Sequence, residues 1–344
     1  MVKGIAQEAR LHAITWPHAQ MDTLYLGGGT PSLVPIPFLE AMLTELRDCL
    51  DLSQLQEFTL EANPDDVTPE MAQAWLRLGV TRVSLGVQSL DDAVLAGLNR
   101  NHSAAQALEA VSALRKAGLE ELSVDLIFGL PGQTLAMLQA DVRRMLALGV
   151  PHISLYGLTI EERTVFGRRT ARGTMPPPDD DLLADMMAWL QEALADAGYR
   201  GYEISNYALP GHEAKHNSAY WVGKPYLGLG PSAHSFDGSR RWHNVANNAL
   251  YLRHLAAGQM PATEAEALAP AEAFNEQLLT GLRLIDGIDA EALAKGLGLT
   301  LPSTFWAEAA RWQQQGLLQA KGGRLALTPG GRLLADHITS RLFL

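Results

Sequence analysis

Five polar side chains stand at or just beyond short apolar runs: Glu61, Gln88, Arg100, Asp125 and Thr159. Asp125 lies inside the run VDLIF, where a carboxylate is costly unless it is paired or liganded. It is either half of a structural ion pair or aimed at a ligand. Upstream, Gly27-Gly28-Gly29-Thr30-Pro31 follows another apolar run. Glycines allow the backbone to approach a ligand closely, and Thr30 adds a hydroxyl. Carboxylates, an amide, one guanidinium and hydroxyls suit a polar, zwitterionic small molecule with an amine. A polyphosphate fits less well, because no Gly-x-x-x-x-Gly-Lys loop is present.

The elements that must position these residues are legible. Short β-like runs at 22–26, 57–62, 82–87, 122–128, 152–158 and 202–205 alternate with helical stretches at 37–50, 69–78, 91–98, 104–117, 134–148 and 179–197. That rhythm predicts parallel β/α units, whose ligands gather at the carboxyl ends of the strands. Gly79, Gly118 and Gly149 each precede an apolar residue and read as helix C-caps. Residues 206–261 break the rhythm with Gly, Asn, His and aromatics. From about 270 the pattern is helical, with a hairpin signal at Lys321-Gly322-Gly323, and resembles a winged-helix module. The expected division is 1–205, a connecting segment 206–261, and a C-terminal domain 262–344.

Composition excludes several classes. The 344 residues include 27 basic and 38 acidic side chains, a net charge of -11, which disfavours nucleic acid as a partner. No apolar run is long enough to span a bilayer, so membrane contact is expected only peripherally, and the first residues lack the apolar core of a signal peptide. A cytoplasmic location is expected. Cys49 is the single cysteine, so the chain alone forms no internal disulfide and cannot ligate an iron–sulfur cluster with thiolates.

Eight motifs, LYLGGGTPSL, FTLEANP, VSLGVQS, LNRNH, VDLIFGLPGQT, SLYGLTIE, HNSAYW and LGLGPSAHS, follow in this order. Together they resemble the radical S-adenosylmethionine enzymes related to oxygen-independent coproporphyrinogen III oxidase, and most closely the HemW branch of heme chaperones. The resemblance runs over essentially the whole chain. It implies an α/β fold: a partial (β/α) barrel, here lacking its first strand, with a C-terminal winged-helix-like helical module. It implies S-adenosylmethionine across the strand ends. Gly28, Gly29 and Thr30 match the glycine-rich motif, Glu61, Gln88, Arg100 and Asp125 match polar positions around the cofactor, and Thr159 and His234 match the remaining contacts.

His216-Asn217-Ser218-Ala219-Tyr220-Trp221 matches the HNxxYW motif associated with heme in that branch. Histidine is a common axial ligand and aromatics supply an apolar wall for a porphyrin. The resemblance therefore implies heme contacts at His216, Asn217, Tyr220 and Trp221, with His216 as iron ligand. The plainer reading is a loop histidine packed on its aromatic neighbours, and His212, His234 and His243 compete as ligands.

The family also implies a [4Fe-4S] cluster on a three-cysteine loop, which this sequence lacks. Val2, Ile5, Ala6, Ala9 and Ala13 fall at helical spacing, so a helix is expected to begin at or before residue 1. A shortened start and a natural loss of the cluster segment both account for this, and the first is expected. Three functions compete: a heme chaperone that passes heme to acceptor hemoproteins, a coproporphyrinogen III oxidase, and a β/α protein for another nucleotide-like metabolite. The HNSAYW motif favours the first. Catalytic residues are not assigned.

Overall fold

The computed structural model describes residues 1–344 except 17–19, 162–163, 178 and 264. In chain order, α1 (Val2–Thr15), β1 (Thr23–Leu26), α2 (Ile36–Cys49), β2 (Glu57–Ala62), α3 (Pro69–Leu78), β3 (Arg82–Gln88), α4 (Asp92–Gly97) and α5 (Ala104–Ala117) come first. Next are β4 (Glu121–Phe128), α6 (Leu135–Leu148), β5 (His152–Gly157), α7 (Val165–Ala171), α8 (Asp180–Asp196), β6 (Arg200–Gly201), β7 (Asn206–Ala208) and α9 (Lys215–Trp221). The chain continues through β8 (His234–Phe236), β9 (Arg240–His243), α10 (Asn248–Ala256), β10 (Glu266–Ala267), α11 (Pro270–Gly281), α12 (Ala290–Gly296) and α13 (Ser303–Gln314). It ends with β11 (Leu318–Lys321), β12 (Arg324–Leu327), α14 (Pro329–Arg332) and α15 (Ala335–Arg341).

These elements form two units. One contains Met1–Tyr25, Val34–Glu57 and Ala214–Leu344; the other contains Leu26–Leu33 and Phe58–Glu213. The division is not sequential. Where the sequence pattern groups 1–205 together, the first two helices join the C-terminal segment, because α1 packs on both α2 and α10.

In the Phe58–Glu213 unit the strands stand in the order β2-β3-β4-β5-β7-β6. The pairs β2–β3, β3–β4 and β4–β5 are parallel; β7 and β6 add on antiparallel. The sheet is open rather than closed into a barrel. Buried Leu60, Val83, Leu85, Val124, Leu126, Ile153 and Leu155 alternate along the strands. Trp75, Leu114, Leu138, Met145 and Leu190 supply apolar helix faces. The C-caps fall where the glycines predict: Gly118 adopts φ 99°, which a Cβ would disfavour. Thr68, Ser103, Thr134 and Asp179 cap the following helices with side-chain oxygens.

One expected strand is corrected. Residues 202–205 are not a strand but the link between β6 and β7, held by Glu203, whose Oε1 accepts the Ser205 N–H at 2.8 Å and the Asn206 amide at 2.6 Å. A carboxylate that satisfies its own neighbours favours a turn over a ladder.

In the other unit, buried Glu8 of α1 accepts from the Gly230 N–H at 2.8 Å, the Asn244 amide and the Tyr251 hydroxyl. One carboxylate thus ties the LGLGPS loop to α1 and α10. Strands β8 and β9, inside the segment that lacked a readable rhythm, make a small antiparallel sheet with β10, which lies just beyond it. The C-terminal module carries α11, α12 and α13, then the β11–β12 hairpin with both turn glycines at positive φ, 58° and 80°. After the hairpin come two short helices, α14 and α15, separated at Leu333 and Leu334.

Candidate functional site

Gly28 and Gly29 have φ of +70° and +89°, and among the described residues no atom beyond the adjoining residues lies within 4 Å of where a Cβ would stand on either. The loop is an open backbone cradle in a conformation that requires glycine. The Gly28 N–H donates to Glu61 Oε2 at 3.2 Å, so a carboxylate from the end of β2 sits beside the cradle. Thr30 follows, its carbonyl accepting the Leu33 N–H at 3.1 Å.

On β3, residues 82, 84, 86 and 88 share one face by the two-residue period. A Cβ at Gly86 would stand 2.9 Å from Gln88 Nε2, 3.6 Å from Arg100 Nη2 and 3.7 Å from Asn63 Oδ1. Glycine here lets three polar groups meet, and Arg100 Nη1 donates to Asn63 Oδ1 at 3.3 Å. Gln88 itself sits at φ 69°, at an irregularity in the β3–β4 register. Such strain in a non-glycine residue accompanies ligand-facing positions.

Asp125 on β4 pairs in register with Ser154 of β5, and Ser84 Oγ lies 3.4 Å from both of its carboxylate oxygens. Burial pushes its pKa up to about 6, and the charge of Glu61 adds to the rise. Hydrogen bonds from Ser154 and Ser84, and the charge of Arg100, oppose it. Gly28, Glu61, Gln88, Arg100 and Asp125 are therefore brought to the strand ends of one unit. Thr159 lies two residues beyond β5 and is exposed. These groups fit a zwitterion with hydroxyls: carboxylates for an amine or ribose, a guanidinium for a carboxylate, and a backbone cradle that admits close approach.

The HNSAYW segment is not a loop; it is α9, in the other unit. Glu57 accepts the N–H groups of Lys215 and His216, both at 2.9 Å, and so caps a helix that has no side-chain cap of its own. The His216 ring stacks on Tyr25, with centroids 4.8 Å apart and planes at 20°. Its Nδ1 lies 2.8 Å from Thr23 Oγ1 and its Nε2 lies 3.0 Å from the Tyr220 hydroxyl. Burial lowers the His216 pKa, against the opposing charge of Glu57, so the neutral ring that could bind a metal predominates at neutral pH. Asn217 is the next residue on α9, and Trp221 carries the Arg283 guanidinium 4.8 Å from its ring centroid.

The competing histidines are placed differently. His212 Nδ1 is 2.8 Å from Glu121 Oε1. His234 lies on β8 opposite His243 of β9, rings 5.2 Å apart, both exposed. Cys49 ends α2 and supplies one thiolate, so the residues present do not fit a [4Fe-4S] cluster, which is held by several.

Sequence reasoning missed Asn63, Ser84, Ser154, Thr23, Tyr25 and Glu57. Ser84 and Ser154 were detectable, since polar residues recur there at the period of the strand. Glu57 and Thr23 carried no local signal.

The fold and site define an α/β protein with a polar, carboxylate-rich constellation at the ends of parallel strands. Residues 6–145 match the radical SAM superfamily and residues 268–334 the HemN C-terminal domain. The chain is 36% identical to the heme chaperone HemW of Lactococcus lactis over 325 residues, covering 94% of this chain and 85% of that protein. It is 37% identical to heme chaperone HemW of Mycobacterium tuberculosis over 342 residues, covering 98% and 85%. The coproporphyrinogen III oxidase of Escherichia coli shares the fold, with a TM-score of 0.84 at 20% identity over 99% of this chain and 82% of that one. The chain belongs to the HemW family of the radical SAM superfamily. That family implies S-adenosylmethionine and a [4Fe-4S] cluster. Among the described residues no helix is long and apolar enough to cross a membrane.

Proposed function

We propose that this chain is a heme chaperone: it takes heme iron on His216, holds S-adenosylmethionine at the strand ends, and passes heme to acceptor hemoproteins in the cytoplasm. The observation that carries the reading is the setting of His216, an imidazole on a capped helix between two tyrosines. Asn217, the aromatic ring of Tyr220 and Trp221 complete the heme contacts. Relatives that cover most of the chain carry the name heme chaperone, which supports the cargo.

For S-adenosylmethionine, the Gly28–Gly29–Thr30 cradle and Glu61 would take the methionyl amine and backbone. Gln88, Arg100 and Asp125 would hold its polar groups, with Thr159 as a remaining contact. When bound, that molecule supplies a sulfonium group. Because the thiolates of a cluster are not present in this sequence, no radical step is assigned to these residues.

The test is a heme titration of the full chain followed by its Soret band. His216→Ala should lower affinity and shift the band, while His212→Ala should change little, because His212 is engaged by Glu121. An unaltered spectrum and affinity in His216→Ala would reject the axial assignment.

A further inference from the structure

The resting geometry of His216 leaves neither ring nitrogen open. Thr23 Oγ1 takes Nδ1 at 2.8 Å and the Tyr220 hydroxyl takes Nε2 at 3.0 Å. The two partners are unlike in kind. Thr23 belongs to β1, and Tyr25 of the same strand stacks flat on the imidazole, so the strand fixes both the plane and one edge of the ring. Tyr220 lies four residues along α9, on the same helix face, and meets the ring edge-on at 90° and 5.0 Å. It is held by one hydrogen bond and by the edge of Tyr226, centroids 4.7 Å apart. A cavity of about 180 Å³ borders Tyr220, walled by Phe236, Arg241, Leu268, Pro270 and Leu297, and gives a displaced phenol somewhere to go.

We propose that Thr23 orients His216 for metal binding through Nε2, and that the Tyr220 hydroxyl occupies this nitrogen until heme iron displaces it. The proposal rests on His216 as the axial ligand. A metal-bound histidine ordinarily donates its other ring N–H to a fixed acceptor, which sets the tautomer. Thr23 is placed to be that acceptor. With the proton on Nδ1, the Tyr220 O–H donates to Nε2, so one tautomer serves both the resting and the loaded states. Loading is then a ligand exchange without redox change. The Tyr220 O–H···Nε2 hydrogen bond breaks, an Nε2–iron bond forms, and the iron releases a water ligand.

This makes Tyr220 a competitor for its own neighbour and Thr23 a positioning residue. The experiment is a heme titration with stopped-flow association on the full chain, comparing wild type, Tyr220→Phe, Thr23→Val, His216→Ala and the double variant His216→Ala/Tyr220→Phe. Removing one hydrogen bond that opposes loading should tighten heme binding about fivefold in Tyr220→Phe and speed association. The same change in the His216→Ala background should have no effect. Thr23→Val keeps the side-chain shape and should weaken binding about fivefold, with an altered Soret maximum, because the imidazole loses its orienting partner. Unchanged or weaker binding in Tyr220→Phe, beside an impaired His216→Ala, overturns the exchange while leaving axial ligation by His216 in place. An equal Tyr220→Phe effect in both backgrounds overturns it as well. If His216→Ala binds heme as wild type does, the axial reading fails and this proposal falls with it.

Discussion

The carboxylate of Glu57 accepts the backbone N–H of His216 at 2.9 Å across 159 residues of sequence. The contact joins the start of β2 to the first turn of the helix that carries the HNSAYW motif. Orphan N–H groups at a helix start need an acceptor, and α9 supplies none from its own side chains. A buried carboxylate at that end also meets the positive pole of the helix.

Glu57→Ala should therefore lose about 1–3 kcal/mol of stability, since two part-buried N–H groups lose their acceptor. Glu57→Gln keeps one acceptor oxygen and should lose less. Urea unfolding of the three proteins checks the order; an alanine variant as stable as wild type would remove Glu57 from the support of His216.

Asp125→Ala should weaken S-adenosylmethionine binding by about 1–3 kcal/mol, the range for a lost charge-assisted hydrogen bond. Isothermal titration measures it. If affinity holds while thermal stability drops, Asp125 acts only with Ser84 and Ser154 inside the sheet, and its place in the ligand site is lost.

Stability should fall as the solution is acidified from pH 7.5 to 6. His152 is buried, with Nδ1 2.6 Å from Ser123 Oγ and Nε2 2.8 Å from the Tyr202 hydroxyl. Burial, with a smaller contribution from Arg82, lowers its pKa from 6.5 to about 3. Burial likewise lowers His12 to about 4. A histidine depressed in the folded state is protonated first in the unfolded chain. Its contribution is complete above pH 6.5 and is lost as pH falls from there toward the folded value. At pH 6 the loss is about 1 kcal/mol per histidine. Asp125 has the opposite sign: raised from 3.8 to about 6, its contribution is complete below 3.8 and is lost as pH rises through 6. Between pH 7.5 and 6 the two histidines outweigh it. Urea midpoints at the two pH values test this, and His152→Gln should show the shallower dependence. Equal midpoints for wild type at both values would contradict the burial argument.

Anaerobic reconstitution of this 344-residue chain with iron and sulfide should yield no stoichiometric [4Fe-4S] cluster, because one cysteine cannot provide its thiolates. Iron and sulfide analysis of heme-free protein, with its visible spectrum, decides. A stoichiometric cluster would mean that non-thiolate side chains hold it.

The sequence by itself determined the alternation of strands and helices, the glycine caps at 79, 118 and 149, and the polar residues at the strand ends. Each is written in local chemistry: a two-residue period, a 3.6-residue period, a left-handed cap, a carboxylate among apolar neighbours. Only the tertiary structure decided which of those residues meet. The Gly28–Glu61 contact, the Ser84–Asp125 contact and the crowding of Gln88, Arg100 and Asn63 at Gly86 depend on the register of neighbouring strands. The antiparallel turn of β7 was hidden because 202–205 has strand composition while Glu203 spends its carboxylate on a turn. The setting of His216 was the least legible. Thr23, Tyr25 and Glu57 reach it across 159 to 193 residues, and no local propensity encodes a contact made only when distant segments pack.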